Sequence, residues 1–483
     1  MAESLNLTCT LSSSAVPASG QPRLVYLLLD VAGGKGAQTL PSNLGFIIDT
    51  SDSMRIRLVT DEQFMELVKA GHAQEVMTDG VPAYQITSVS SDVIANFPRR
   101  IDYVSEALVI ASEYLRQADC FSLVAFAGKA HTLIPLTNGK ERKRLLQAAR
   151  ELEYLKLGDG THMAEGLALA FTEIQHQAGK PVSGCDDSRG TAYASRLILL
   201  TDGHTLKVSD CYDWAKRAHQ AGVKLTTMGI GIEFNEDLLI PLADLTGGNA
   251  YYIESPDQIP DAFRKELGAA LRMSYRNVEV KLQLPAGVVL RRVYRVLPEL
   301  GTFDHGPNLA GGDVDSGRSG SSYSFQLGDY DPATPQAVLA EIILPPWPEG
   351  QYRMAQALLA WDDPDGSLAR QSLRQDTIIQ MAGVGTVPLN GRVMNIAEKV
   401  GAFMMGTRAL EQAQNAARTS SQSDKSSATV RLREAATRLL DMGESGLADA
   451  MYQQAETLER SGSLDPEAAK KLRYETRRLA QRP

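Results

Sequence analysis

An uncharged run, LGFII at residues 44–48, stops abruptly at a carboxylate and two hydroxyl side chains, Asp49, Ser51 and Ser53. Such a run predicts a strand that is buried on both faces, as in parallel sheets covered by helices on both sides. The three oxygen-bearing side chains then lie just beyond the carboxyl end of that strand. Short oxygen ligands in this position suit a hard cation such as Mg²⁺.

The rest of residues 43–273 alternates between strand and helix patterns, as such a sheet requires. Strand patterns occur at 121–127, 131–136, 195–203, 223–231 and 249–253, and helical periodicity occurs at about 100–117, 139–153, 162–177, 209–220, 236–245 and 257–272. This order predicts an α/β domain with a mostly parallel sheet and helices on both faces. Ligands of such sheets bind beyond the carboxyl ends of the strands.

Two segments interrupt the alternation. Residues 55–98 contain a predicted helix at 61–70 and a predicted hairpin around the Asp79-Gly80 turn, and residues 178–193 are a polar loop before the next strand. We expect both segments to open beside the metal and to set specificity, since loops on a rigid scaffold often carry recognition. A tolerated surface insertion explains them equally well.

The regions on either side of this domain predict a β-sandwich. Residues 274–385 contain short alternating strands separated by Gly, Pro and Asp turns. The N-terminal strands, at 5–11 and 22–31, have no partner in the α/β domain by sequence order. We therefore predict that residues 1–42 complete the sandwich and that the α/β domain is inserted into it.

Residues 386–483 have helical periodicity and predict a small antiparallel bundle, with breaks at 420–427, 442–445 and 462–467. Basic side chains are frequent near the end of this region. They could dock an acidic partner or form a solvated helix face. These residues are Lys470, Lys471, Arg473, Arg477, Arg478 and Arg482.

The composition restricts the class of protein. The chain has 483 residues, of which 43% are hydrophobic, and its net charge of −9 argues against a general nucleic-acid binder. Its cysteines are scattered, so the sequence indicates neither a zinc site nor a disulfide framework. There is no basic and apolar leader and no apolar run of about 18 residues, so we expect a cytoplasmic protein without membrane insertion. A surface location is the alternative.

Two further oxygen donors occur where the predicted sheet would bring them to the same edge. Thr161 lies in the GDGTHM loop before a helix, and Asp202 ends the strand LILLTDG. Five oxygens from three loops would then converge on one cation. Because the hydroxyls are neutral, the charge of the ion would be poorly balanced, and an open coordination position could accept a carboxylate from another protein.

The motifs DTSDSM at 49–54, GDGT at 158–161 and LLTDG at 199–203, in this order, resemble those of von Willebrand factor A (VWA) domains. The resemblance covers about residues 43–273 and implies a Rossmann-like domain with a metal-ion-dependent adhesion site. It implies that the metal ligands are Asp49, Ser51, Ser53, Thr161 and Asp202. The split sandwich also resembles the hybrid-domain arrangement of integrin β subunits, and the overall layout is similar to bacterial A-domain proteins.

These observations favour a non-enzymatic protein-interaction or adhesion module that depends on Mg²⁺, with Mn²⁺ or Ca²⁺ as alternatives. By resemblance, movement of the last helix, at 257–272, would carry a signal to the sandwich. Three other functions stay open. They are an adaptor subunit of a separate AAA+ ATPase of the MoxR or chelatase type, an integrin-like cell-surface adhesin, and a hydrolytic metalloenzyme with His162 or His204 as its base.

Overall fold

The structure is a computed structural model. It describes residues 5–33, 39–57, 61–78, 81–86, 97–175, 193–303, 320–362, 370–383, 388–418 and 421–482. Within these residues no helix is both long enough and apolar enough to cross a bilayer.

The first half of the chain consists of three N-terminal strands followed by alternating strands and helices. The N-terminal strands are β1 (Asn6–Leu11), β2 (Ala15–Pro17) and β3 (Arg23–Ala32). The alternating elements are β4 (Ser42–Asp49), α1 (Asp61–Lys69), β5 (Ala73–Thr78), β6 (Val81–Ile86), α2 (Arg100–Tyr114), β7 (Cys120–Phe126), β8 (Ala130–Asn138), α3 (Arg144–Leu152), α4 (Met163–Gln175), β9 (Ala194–Thr201), α5 (Val208–Gln220), β10 (Lys224–Ile230), α6 (Glu236–Thr246), β11 (Ala250–Ile253) and α7 (Ile259–Ala270).

The α/β domain is built on one six-stranded sheet with the order β11-β10-β9-β4-β7-β8. All neighbouring strands are parallel except β7 and β8, which form an antiparallel pair at one edge. The strand β4 lies inside the sheet, and all eight of its residues are buried. Its side chains alternate between two apolar cores: Phe46 and Ile48 pack with α2 and α7, and Ile47 packs with α4. The predicted α/β architecture is therefore confirmed.

The second half of the chain contains seven strands and four helices among the described residues. The strands are β12 (Tyr275–Leu284), β13 (Val289–Leu297), β14 (Gly301–Thr302), β15 (Ser321–Tyr330), β16 (Gln336–Leu344), β17 (Gly350–Asp362) and β18 (Gln371–Ala382). The helices are α8 (Gly391–Ala417), α9 (Gln422–Asp441), α10 (Ser445–Ser461) and α11 (Pro466–Thr476).

The N-terminal strands and the later strands form two five-stranded sheets. One sheet has the order β1-β3-β16-β13-β14, and the other has the order β15-β12-β17-β18-β2. Successive side chains of β3 point to opposite faces of its sheet. Leu27 and Leu29 lie in the core between the two sheets, whereas Leu28 packs against the C-terminal helices. The chain therefore leaves the sandwich after β3, forms the α/β domain, and returns at β12.

The bounds of α4 and β9 show where the segment at residues 178–193 is attached to the sheet, while its predicted position beside the metal stays a prediction. The helix α4 begins next to Thr161, runs back along the sheet and ends at Gln175, and β9 begins at Ala194, which pairs with Ser42 at the amino end of β4. The described residues on either side of this segment therefore lie at the edge opposite Asp202. In a parallel sheet, a loop that follows a helix reaches the amino ends of the strands. Residues 176–192 themselves lie outside the described residues.

The other segment that interrupts the alternation, 55–98, contains α1 and the antiparallel pair β5–β6, as predicted. The Asp79-Gly80 turn lies outside the described residues. The segment leaves and rejoins the domain at one place, since Arg57 and Arg99 form an isolated β-bridge.

One sequence-based prediction in the helical domain is wrong. Residues 420–427 were expected to form a loop, but α9 begins at Gln422, and the Ser421 hydroxyl accepts a hydrogen bond from the Asp424 backbone N–H (3.3 Å). Serine and aspartate are frequent in loops, but they also begin helices by capping them. The cysteines indicated no disulfide framework; in the structure Cys120 is disulfide-bonded, whereas Cys9 and Cys211 are free.

Candidate metal site

Asp49 is the last residue of β4, and it is fully buried at the carboxyl end of the sheet. Pairing of Ile48 with Leu200 places Asp49 next to the end of β9. There the Thr201 hydroxyl donates a hydrogen bond to Asp49 Oδ2 (2.6 Å), and the Ser51 backbone N–H donates one to Oδ1 (2.9 Å). The carboxylate is thus held in a fixed orientation by the neighbouring strand and by its own turn.

Ser51 immediately precedes a short 3₁₀ turn, Asp52–Arg55, and Ser53 lies within it. The Ser51 and Ser53 hydroxyl oxygens are 3.0 Å apart, and the Ser53 hydroxyl donates a hydrogen bond to Asp202 Oδ1 (2.7 Å). Asp202 follows β9 and is buried. Side chains separated by about 150 residues in the sequence are therefore in direct contact, as the sequence predicted from the ends of neighbouring strands.

Thr161 belongs to a loop that packs directly against this cluster. Its hydroxyl oxygen lies 3.9 Å from the position that a Cβ on Gly203 would occupy, beside Asp202. Its backbone oxygen accepts hydrogen bonds from Thr205 and Leu206, which follow Asp202. Gly158 and Gly160 have positive φ angles of 82° and 97°, a conformation that favours glycine and turns the GDGT loop towards the site.

Burial disfavours the charged form of both carboxylates. Burial and the nearby charge of Asp202 together raise the pKa of Asp49 to about 6, against hydrogen bonds from Ser51 and Thr201 that lower it. Burial also raises the pKa of Asp202, against hydrogen bonds from Ser53 and Arg100. Two buried carboxylates that repel one another are a pair that a bound cation would stabilise.

The donors present fit a hard cation. Carboxylate and hydroxyl oxygens from three loops, those of Asp49, Ser51, Ser53, Thr161 and Asp202, converge at one edge of the sheet. Oxygen ligands of this kind suit Mg²⁺ or Mn²⁺. Among the described residues there is no group of three or more His, Cys, Asp or Glu side chains that could hold a metal ion.

Arg100 is a residue of this site that the sequence did not reveal. It is the first residue of α2, and its Nη1 donates hydrogen bonds to Asp202 Oδ2 (2.7 Å) and to the Ser53 backbone oxygen (3.2 Å). No spacing rule connects Arg100 with Asp202, because the contact depends on where α2 begins after the long segment 55–98. The sequence did not indicate a role for Thr201 either, because a threonine at the end of a strand is too common to mark a site.

Gly128 provides a test of how the Thr161 loop is positioned. A Cβ on Gly128 would lie 2.4 Å from the Asp159 backbone oxygen and 2.9 Å from the Gly158 carbonyl carbon. We expect Gly128→Ala to displace this loop and to lower the free energy of unfolding by about 1–3 kcal/mol. Urea unfolding would measure the change, and Gly446→Ala is the control, because a Cβ there meets no atom within 4 Å. Equal stabilities of the two variants would contradict the expectation.

Comparison with known proteins agrees with this architecture. A family model for the von Willebrand factor type A domain matches residues 84–265, and a model for the Sll0103-like C-terminal alpha-helical domain matches residues 391–482. The uncharacterized protein sll0103 of Synechocystis is 24% identical over 269 residues, which cover 55% of this chain and 58% of that protein. The chain spans about half the length of the curated relatives it matches.

Two solved structures resemble the whole chain. A von Willebrand factor type A protein from Catenulispora acidiphila superimposes with a TM-score of 0.70 at 16% identity, covering 99% of this chain and 97% of that one. The ArnB paralog VWA2 from Sulfolobus acidocaldarius gives a TM-score of 0.53 at 16% identity, with 99% of both chains covered. At this identity the likeness concerns the fold alone. The chain is therefore a protein with a von Willebrand factor type A domain and a Sll0103-like C-terminal helical domain.

Proposed function

We propose that this protein is a Mg²⁺-dependent protein-interaction module that binds a carboxylate of a partner protein. The observation that carries the proposal is the cluster at the carboxyl edge of the sheet, in which two carboxylates and three hydroxyls meet. The proposed ligands are Asp49, Ser51, Ser53, Thr161 and Asp202. VWA domains are commonly protein-interaction modules, and this agrees with a site whose last ligand comes from outside.

The charge of the site supports an acidic ligand. Mg²⁺ prefers six oxygen ligands in octahedral geometry, and three of the five proposed here are neutral hydroxyls. The two carboxylates can at most balance the charge of the ion, and Arg100 already neutralises part of Asp202. An additional carboxylate from a partner would therefore be attracted to the ion more strongly than a neutral group.

The proposal assigns no catalytic role to the site. A hydrolytic metalloenzyme needs a general base close to the ion, and His162 and His204 were the candidates. His162 Nδ1 lies 3.3 Å from Glu165 Oε1 on α4, and His204 is exposed. The His162 geometry favours a structural contact with its own helix over proton transfer at the metal.

Titration calorimetry tests the metal site. We expect Mg²⁺ or Mn²⁺ to bind wild-type protein at one site and binding to be lost in Asp49→Ala and in Asp202→Ala, because each change removes one of the two negative charges. The control is Asp213→Ala, an aspartate whose side chain is 65% exposed on α5. Binding that survives both site substitutions would show that the ligand set is wrong.

The interaction itself is tested by affinity capture from the native source. A partner should be retained in Mg²⁺ and released by EDTA, and Asp49→Ala should fail to retain it. A partner that binds equally well in EDTA, or equally well to Asp49→Ala, would contradict a metal-bridged interaction.

A further inference from the structure

We propose that Arg100 acts as a built-in cation of the metal site, which weakens the binding of the metal alone and couples it to the binding of an anionic ligand. This inference rests on the proposed metal site. Its basis is the contact of Arg100 with Asp202, where Nη1 and Oδ2 are 2.7 Å apart. The Asp202 side chain is fully buried and the Arg100 side chain is 16% exposed, so solvent screens the pair little.

The position of Arg100 is fixed by its surroundings. Arg100 begins α2, and the preceding residue, Arg99, pairs with Asp102 and with Glu153. Arg99 also forms the β-bridge with Arg57 where the segment 55–98 rejoins the domain. The guanidinium is therefore held over Asp202 by the helix start and by the ends of this segment.

The contact divides the two oxygens of Asp202 between different partners. Oδ1 accepts the hydrogen bond from Ser53, so it lies on the side of the proposed ligands, whereas Oδ2 accepts from Arg100. Arg100 also donates to the Ser53 backbone oxygen (3.2 Å). Arg100 is thus a positioning residue that holds Asp202 through Oδ2 and Ser53 through its backbone oxygen, and it leaves Asp202 Oδ1 and the Ser53 hydroxyl to the cation.

The charge balance follows from this arrangement. With a divalent cation bound, Asp49 and Asp202 would neutralise the ion, and Arg100 would leave one positive charge in excess. Glu233, in the loop after β10, opposes this charge, but it is exposed and screened by solvent. The excess charge repels the cation and attracts a carboxylate, so each of these two ligands should strengthen the binding of the other.

Substitution of Arg100 tests the inference with the metal alone as the probe. We expect Arg100→Gln to bind Mg²⁺ about tenfold more tightly than wild type in titration calorimetry, because a nearby positive charge is removed. Arg100→Lys keeps the charge and should stay within about threefold of wild type. The control is Arg116→Gln, which breaks a similar pair with buried Asp119 just after the other end of α2 and should leave Mg²⁺ affinity unchanged.

A second readout is thermal stability. Arg100→Gln leaves Asp202 buried without its charged partner, so the metal-free variant should melt at a lower temperature than wild type. Mg²⁺ should then raise the melting temperature of the variant more than it raises that of wild type.

The wild-type protein provides a third test that needs no variant. Sodium acetate should strengthen Mg²⁺ binding relative to sodium chloride at equal ionic strength, after correction for complexation in solution.

The outcomes separate this inference from the proposed function. Mg²⁺ affinity in Arg100→Gln that equals or falls below that of wild type, or an absence of any acetate effect, would overturn the role of Arg100 and leave the metal site intact. If neither wild type nor Arg100→Gln binds Mg²⁺, the metal site fails and the inference fails with it. Tighter binding in Arg100→Gln but not in Arg100→Lys would support the charge argument.

Discussion

Replacing Glu266 by alanine is expected to lower the free energy of unfolding by about 3–5 kcal/mol. Glu266 lies on α7, and its fully buried carboxylate pairs with Arg196 on β9. It also accepts hydrogen bonds from Thr226 on β10 (2.6 Å) and from Tyr251 on β11 (2.8 Å). Alanine would leave the Arg196 guanidinium buried and unpaired, which costs more than the lost contacts themselves.

The pH dependence provides an additional test of this ion pair. Burial opposes ionisation of Glu266, but Arg196 and the hydrogen-bond donors around it outweigh this effect and lower its pKa below the usual 4.5. Because the pKa is depressed in the folded state, the stabilisation is complete above pH 4.5 and is lost as the pH falls through the folded-state pKa. The difference in urea stability between wild type and Glu266→Gln should therefore shrink in acid.

A matched control lies on the same helix. The Asp261 carboxylate pairs with Arg264 but is 80% exposed, so Asp261→Ala should change the stability by less than about 1 kcal/mol. Equal effects of Asp261→Ala and Glu266→Ala would show that the buried pair is not important.

The contacts of Glu266 also oppose the predicted movement of α7. Sliding of this helix would have to separate Glu266 from its partners on β9, β10 and β11. The movement itself stays a prediction.

Arg477→Ala is expected to lower the free energy of unfolding by about 3 kcal/mol and to loosen the C-terminal helical domain. Arg477 is 3% exposed, and its guanidinium forms two hydrogen bonds with the Asp244 carboxylate on α6 (2.8 and 2.6 Å). Its backbone oxygen accepts a hydrogen bond from Leu300 N–H (2.7 Å), next to β14. Arg295 would still contact Asp244, which keeps the expected loss at the lower end for a buried pair.

Hydrogen exchange together with urea unfolding would measure this effect. Arg477→Ala should speed exchange in α8 and α11, because they would lose a contact with the α/β domain. Arg433→Ala is the control, since Arg433 pairs with Glu459 on the exposed face of the same bundle and should contribute less than about 1 kcal/mol. Unchanged exchange in Arg477→Ala would mean that the pair of Arg477 with Asp244 does not hold the helical domain against the α/β domain.

Helical periodicity in the sequence did not decide whether the basic residues near the C-terminus contact an acidic partner or solvent. The sequence allowed either an acidic partner or a solvated face. Lys470, Arg473 and Arg477 are in fact buried against the acidic residues Glu236 and Asp244 and their neighbours in the α/β domain of the same chain. The sequence could predict that these basic residues have an acidic partner, but not which residues form it, because this depends on how the helical domain packs against the α/β domain.

The sequence by itself determined the α/β architecture and the five oxygen donors of the candidate site. Burial of a strand on both faces restricts the sheet type, and parallel strands bring their carboxyl ends to one edge, so Asp49 and Asp202 had to meet. Only the tertiary structure decided the contact of Arg100 with Asp202 and the burial of Glu266 beside Arg196. These features depend on helix starts and domain packing, which no local periodicity encodes.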